Sequence, residues 1–400
     1  MRFGVNYIPS REWQHSWLDF DENSLRQDLT AIKEIGLDHI RVNLLWNYFQ
    51  LDPKRMSPLA MKNLEKFVLV CEEMEMDFFI SLFTGWMSGF YYFPAFLNAN
   101  NNFSMFSDQE TYEQQKFYIR EIGKVVAKSP CFLGFDLGNE LSMVTQLDEN
   151  CTLEIADKWQ KEMYAVCEEV APNKLHNNGV DHQPWFRPYM KNLPAAFSRE
   201  SLANDGAISP LHCYAMFTGC RDKSGLFGPH SSHLVDYMCQ LTLAYADCPD
   251  RPLWIQEINC CPDTETETVV KFTKETLQKI VEIPNMWGVT WWGSHDVSRE
   301  FSMFNELEYE LGILDINNNL KPAGQVIKEF IKNYSENPVF VSVRETAMVY
   351  DPELDQVDPW AQMEKFISLC QEGPAPALVL KSKETDTAHL AARGIKTIIK

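Results

Sequence analysis

Apolar residues recur along this chain in two alternating rhythms. In some stretches they form short runs; in others they return every three or four positions, as on one face of a helix. FGVNYI (3–8) reads as a first strand. SLRQDLTAIKEIG (24–36) reads as a helix stopped by Gly36. HIRVNLLW (39–46), DFFISLFT (77–84) and CFLGFDLGNE (131–140) follow as the second, third and fourth strands, with helical patterns over 57–75 and 108–129 between them. The second half repeats the rhythm less cleanly. KLHNNGV (174–180) reads as a short fifth strand, GAISPLHCYA (206–215) as a sixth, RPLWIQEIN (251–259) as a seventh and MWGVTWWGSHD (286–296) as an eighth. Helical patterns lie over 156–172, 231–248 and 268–283, and KPAGQVIKEFIKNY (321–334) closes the series.

Eight strands with helical crossovers fit one closed α/β barrel, the (β/α)8 TIM architecture. An open doubly wound sheet would also alternate. The strand count, the lack of an early GxGxxG and the polar or aromatic ends of the strands favour the barrel. The expected units are a barrel over 1–334 and a small α/β appendage over 335–400. The appendage holds strand-like NPVFVSVRET, APALVLKSK and IKTIIK around helical DPWAQMEKFISLCQEG and DTAHLAARG, with no catalytic cluster. Packing, cleft shaping and subunit contact are its candidate roles, which leaves a homo-oligomer open.

Composition narrows the function. The net charge of −20 repels a phosphate backbone, and no cluster of basic residues with interleaved aromatics offsets it, so nucleic acid is not an expected partner. No run of 18 uncharged apolar residues is present, and a membrane span is not expected. MRFGVNYIPS lacks the features of a secretory leader, and the odd count of 11 cysteines suggests free thiols. The expected location is therefore cytoplasmic. The adjacent pair Cys260–Cys261 lacks the spacing of a zinc knuckle, so neither metal nor cofactor is expected.

The chemistry gathers where barrel strands end. Glu140 closes the fourth strand and Glu257 stands near the end of the seventh, on roughly opposite arcs of an eight-stranded ring. Glycoside hydrolysis needs such a pair, one carboxyl to protonate the leaving oxygen and one to attack or to activate water. FLGFDLGNE together with WIQEIN resembles the clan A glycoside hydrolases, particularly family 5, over roughly residues 1–333. The resemblance implies a retaining mechanism with Glu140 as acid/base, Glu257 as nucleophile and Asn139 beside the sugar 2-hydroxyl. It further implies that Arg41 in HIRVNLLW hydrogen-bonds the nucleophile. In LHCYAMF, Tyr214 would do the same and His212 would orient sugar or carboxylate; a spacing of two puts both on one strand face.

Other residues are less determined. Trp291 and Trp292 point to opposite sides of a regular strand, and Trp292 is favoured to face the sugar. His295 and Asp296 either bind hydroxyls of the terminal sugar or cap a loop. Asn177 either reaches substrate or serves a turn, and His176 lies beside it. Trp13, His15 and Trp17 after the first strand, and Trp86, Tyr91 and Tyr92 after the third, either wall a pocket or pack across the barrel mouth. Asp136 lies on the same face as Glu140, deeper in the strand, either as a partner for Arg41 or within a wider polar layer.

FGVNYIPS and the following W-x-x-x-W resemble the intracellular β-mannosidases of family 5. That resemblance implies an exo-acting enzyme on a small oligosaccharide, such as mannose β-1,4-linked to N-acetylglucosamine. An endo-β-1,4-mannanase or glucanase, a β-galactosidase-like enzyme of the same clan, and a non-enzymatic carbohydrate-binding barrel are the alternatives.

Overall fold

A computed structural model describes residues 1–97, 103–188, 196–260 and 264–400; Cys261 of the adjacent cysteine pair lies outside them. Seven strands make one sheet. Their spatial order is Phe132–Asp136, Asp77–Thr84, His39–Leu45, Arg2–Asn6, Met286–Trp291, Leu253–Glu257 and Ser209–His212. Every neighbouring pair is parallel. Helices cross between them, and their starts are fixed locally. The side chains of Asp21, Ser57, Asp108 and Thr152 accept the otherwise free N–H groups of Asn23, Ala60, Thr111 and Ile155 at the heads of Glu22–Ile35, Pro58–Glu73, Gln109–Val126 and Leu153–Val170.

The expected fifth strand departs from regularity. Leu175 and Asn177 donate their N–H groups to the Leu133 and Phe135 carbonyls at 2.8 and 2.9 Å, and on the other flank Ala207 donates to His176 O at 2.9 Å. Only the Asp136–Asn177 bridge forms, however, because the Phe135 N–H is taken by the His176 ring Nδ1 at 3.1 Å rather than by a backbone carbonyl. The stretch still closes the ring between Phe132–Asp136 and Ser209–His212, completing a (β/α)8 barrel. Gly179, at φ 71°, is needed there: a Cβ would collide with the Gly138 carbonyl and the Asp136 carboxylate.

The strand starts are plugged by rings. Phe79 stacks on Trp254 at 4.3 Å, with Trp287 edge-on at 5.6 Å. The Trp254 indole N–H and the His39 ring both meet the Thr290 hydroxyl, at 2.6 and 2.8 Å. Water is thus excluded from one end of the barrel, and the polar interior is confined to the other.

Residues beyond the last barrel helix, Pro322–Glu336, form a three-stranded parallel sheet with Thr346–Tyr350 between Ala377–Leu380 and Thr397–Ile399. Helix Pro359–Glu372 lies against barrel helix Pro229–Tyr245, with Phe366 edge-on to Tyr237 at 5.4 Å. Among the described residues no helix is long and apolar enough to cross a membrane, and the described cysteines are free thiols.

Candidate active site

Strand alternation aims Asn6, Arg41 and Asp136 into the barrel, and all three are fully buried. Arg41 binds four groups at once. Its Nε donates to Asp136 Oδ2 at 2.8 Å, Nη1 to Asn6 Oδ1 at 3.0 Å and to Glu257 Oε1 at 2.7 Å, and Nη2 to Asn139 Oδ1 at 3.0 Å. Asp136 is therefore the partner of Arg41 and also a member of a wider polar layer. A buried guanidinium persists only when its donors are satisfied in this way. Where Leu253–Glu257 pairs with Ser209–His212, the register shifts between Ile255 and Glu257, an irregularity of the kind that re-aims side chains.

Glu257 is nearly buried, and both its oxygens are occupied: Arg41 holds Oε1, and the Tyr214 hydroxyl donates to Oε2 at 3.0 Å. Glu140 lies past its strand in a left-handed conformation, φ 47° and ψ 53°, held by its N–H to the Gly179 carbonyl at 2.9 Å. Its Oε2 accepts from the Trp86 indole at 3.2 Å, and its Oε1 faces His212 Nδ1 at 3.1 Å. The same Nδ1 lies 3.4 Å from Glu257 Oε2. His212 Nδ1 and one oxygen of each carboxylate all fall within 4.8 Å of one another. That is the close spacing of a retaining pair rather than the wider gap that admits a water.

The hydrogen-bond network fixes where a proton resides. Asn177 Nδ2 donates to Leu175 O at 3.4 Å, so its oxygen receives Gln256 Nε2 at 2.9 Å. Gln256 Oε1 then faces His212 Nε2 at 2.9 Å, which places the ring N–H there. Titration is left to Nδ1. Burial opposes a charge on His212, but Glu257 and Glu140 outweigh it and raise its pKa. Burial likewise pushes Glu140 up, yet the hydrogen bond and charge of His212 bring it below the ordinary carboxylate range. For Glu257 burial wins and the push is upward, against His212 and Arg41. The Arg41 guanidinium 2.7 Å from Oε1 nevertheless favours the carboxylate form of Glu257, which assigns the mobile proton to the His212–Glu140 pair. The three groups could in principle ligate a cation. The guanidinium already on Glu257 disfavours one, by like-charge repulsion.

An apolar cluster rims the mouth. It contains Trp13, Tyr92, Tyr214, Trp292, Phe304 and Tyr309. Trp86 and Tyr91 pair at 4.9 Å on the hairpin after Asp77–Thr84. His15 contributes through a 2.7 Å contact of its Nδ1 with the Tyr48 hydroxyl. Trp17 does not line the mouth; it packs on Phe49 and Phe67 and donates to Asn43 O at 3.0 Å. Trp291 turns outward to Phe272 and Trp292 inward, as alternation requires.

Arg41, Asn139, Glu140, His212, Tyr214, Glu257 and Trp292 are brought together. Protein groups hold the polar atoms of Asn177 and His295, and one oxygen of Asp296. Asn177 is fully buried and positions Gln256. His295 bonds Ile8 O at 3.0 Å and Asn318 Oδ1 at 2.9 Å. Asp296 accepts from Lys321 Nζ at 2.7 Å and Gly312 N at 2.9 Å, tying the last barrel loop to its helix. His176 is spent on the barrel closure already described.

Glu308 carried no signal in the sequence. It stands in a 3-10 turn, Glu306–Glu310, and its Oε2 accepts from Ser88 on the Trp86 hairpin at 3.0 Å. Burial pushes its pKa up to about 7, and the charges of Glu140 and Glu257 add to the rise. A third carboxylate thus borders the pair.

No family model matches the chain, and no curated protein matches it. Solved structures do. A Streptomyces cattleya GH5_18 protein in complex with GlcNAc is 33% identical, with a TM-score of 0.93 over 100% of this chain and 97% of that one. A variant of the Streptomyces cattleya protein in complex with Manb1-4GlcNAc is 32% identical over 100% and 98%, also at 0.93. A Bifidobacterium longum subsp. infantis GH5_18 protein is 29% identical over 100% and 96%, at 0.92. A paired acid and carboxylate over a plugged barrel, in a chain this similar along its whole length, identifies a glycoside hydrolase of family 5, and the protein belongs to its GH5_18 group.

Proposed function

We propose that this enzyme is a retaining, exo-acting β-mannosidase that releases mannose from short β-1,4-linked mannosides such as Manβ1-4GlcNAc. The observation that carries the chemistry is the single imidazole nitrogen shared by Glu140 and Glu257 at 3.1 and 3.4 Å, with Arg41 and Tyr214 closing the remaining side of Glu257. Glu257 attacks the anomeric carbon, and its charge is held ready by the guanidinium and the phenol. Glu140 receives the shared proton from His212 Nδ1 and passes it to the departing glycosidic oxygen. In the second step Glu140 takes a proton from water, which opens the glycosyl-enzyme from the same face. Asn139, fixed by Arg41 on one side and by donation to Trp86 O at 3.1 Å on the other, presents its amide to the sugar 2-hydroxyl. Trp292 supplies the apolar floor, and the Glu308 oxygen that has no partner among the described residues is an acceptor for a further hydroxyl. The choice of mannose is supported by the Manb1-4GlcNAc bound by a similar chain.

A panel of aryl β-glycosides and β-1,4 disaccharides, followed by NMR from the first turnover, tests this reading. Single mannose units appearing first as the β-anomer are the expected product. Longer initial products overturn exo action, and an initial α-anomer overturns retention.

A further inference from the structure

The segment Val180–Phe186 follows Gly179, whose carbonyl accepts the Glu140 N–H at 2.9 Å, and so runs beside Glu140. Asp181 and His182 lie close enough for their charges to act on and with Glu140, whereas the charges acting most on Glu257 are His212, Arg41 and Glu140 itself. Asp181 is consumed internally: its two oxygens accept the Gln183 backbone N–H at 2.8 Å and side-chain amide at 3.0 Å. Gln183 Oε1 in turn receives Gln146 Nε2 at 3.4 Å, from the end of the short helix that starts after Glu140. His182 differs. Its residue is only 6% exposed, yet its ring makes no hydrogen bond among the described residues. Its ring nitrogens are not among the described buried atoms that lack a partner, so they open to solvent, where a sugar hydroxyl can take the place of water.

The same segment is gripped from the appendage. The His182 carbonyl accepts the N–H groups of Trp185 at 3.0 Å and Phe186 at 2.8 Å, making one tight turn. Arg199 clamps that turn, donating Nε to Pro184 O at 2.6 Å and Nη2 to Trp185 O at 3.0 Å. The remaining donors of Arg199 go to the appendage: Nη1 to the Tyr350 hydroxyl and Nη2 to Asp355 Oδ2 at 2.8 Å. Trp360 closes edge-on over Phe186 at 5.1 Å. An unbroken chain of buried contacts therefore runs from the appendage sheet to His182.

We propose that Val180–Phe186 is the wall against which the departing sugar is held, that His182 contacts polar substituents of that sugar, and that the appendage sets the wall through Arg199, Tyr350 and Asp355. The proposal rests on Glu140 being the acid, since whatever flanks the acid flanks the leaving group. His182 is the binding residue; Arg199, Tyr350 and Asp355 are positioning residues.

The test is the ratio of kcat/KM on Manβ1-4GlcNAc to that on 4-nitrophenyl β-mannoside, whose departing group has neither hydroxyls nor an acetamide. His182→Ala lowers this ratio about tenfold, the loss for one sugar-specific hydrogen bond. Tyr350→Phe and Asp355→Asn lower it in the same direction by about threefold, mainly through KM for the disaccharide. Thermal melting of each variant checks the fold. A ratio unmoved in His182→Ala, or appendage variants in which both substrates fall by one common factor, overturns the proposal. Wild-type protein that cleaves the aryl mannoside but not the disaccharide overturns the substrate reading as well. An unmoved ratio in an enzyme that does cleave the disaccharide overturns this inference alone.

Discussion

Glu257 and Glu140 meet at one ring nitrogen, yet the regions that hold them are built on different lines. Around Glu257 the partners are strand residues: Arg41, Tyr214 just past its strand, and behind Arg41 the buried Asp136 and Asn6. Around Glu140 they come from connections: Trp86 on a hairpin, the Gly179 carbonyl and the 180–186 turn. The first arrangement fixes a charge. The second leaves an edge open where a proton can leave and a product can depart. An attacking carboxylate needs constant charge and position, whereas a proton donor needs reversible protonation and access.

Substitutions can break this contrast, beginning with the largest effect. Glu257→Gln keeps the shape and removes the nucleophile; kcat falls by about 10⁴-fold or more on every β-mannoside, and survival within tenfold on any of them sinks its assignment. Glu140→Ala should divide the substrates. The disaccharide loses about 10³-fold, while 4-nitrophenyl β-mannoside, whose leaving group needs no proton, loses far less in formation of the glycosyl-enzyme. Burst kinetics on the aryl substrate measure that step, and equal losses on both would erase the difference between the two flanks.

The third effect is a shift rather than a loss. A proton shared between His212 and Glu140 is held more tightly than Glu140 alone would hold it, because binding at either site counts. His212→Gln therefore moves the alkaline limb of kcat/KM to lower pH, as a pH–rate profile would record; an upward move contradicts the shared proton. Glu308 gives the smallest effect. Its folded pKa of about 7 exceeds the carboxylate norm of 4.5, so the folded state holds the extra proton and loses stability as pH rises through that window. Glu308→Gln removes the loss. Its melting temperature should exceed that of the wild type at pH 8 and approach it at pH 5, the stability difference at pH 8 being at most about 3 kcal/mol.

What the sequence disclosed follows the same division. Arg41, His212, Tyr214 and Glu257 sit in or beside strands, where a period of two says which way a side chain points and barrel topology says which end is open. Past the strand ends that rule lapses. His295 and Asp296 follow Trp292 by a few positions, but their directions are set by Asn318 and Lys321, which no local pattern names. Glu308 is found only through Ser88, 220 positions away. The fifth strand misled for a related reason: a histidine side chain replaces a backbone acceptor, and apolar patterning does not register that exchange. Asp136 was legible as a question, since a buried carboxylate demands a cation, although two answers were open.

The left-handed backbone at Glu140 has a consequence for handling the protein. A side-chain-bearing residue at φ 47° carries about 1–2 kcal/mol of conformational penalty, which glycine or asparagine at the same place largely escapes. Glu140→Gly and Glu140→Asn therefore shed that penalty together with the acid, which offsets the lost contacts to Trp86 and His212. Samples that capture an uncleaved saccharide, and survive long enough to be crystallised with it, are best sought among them.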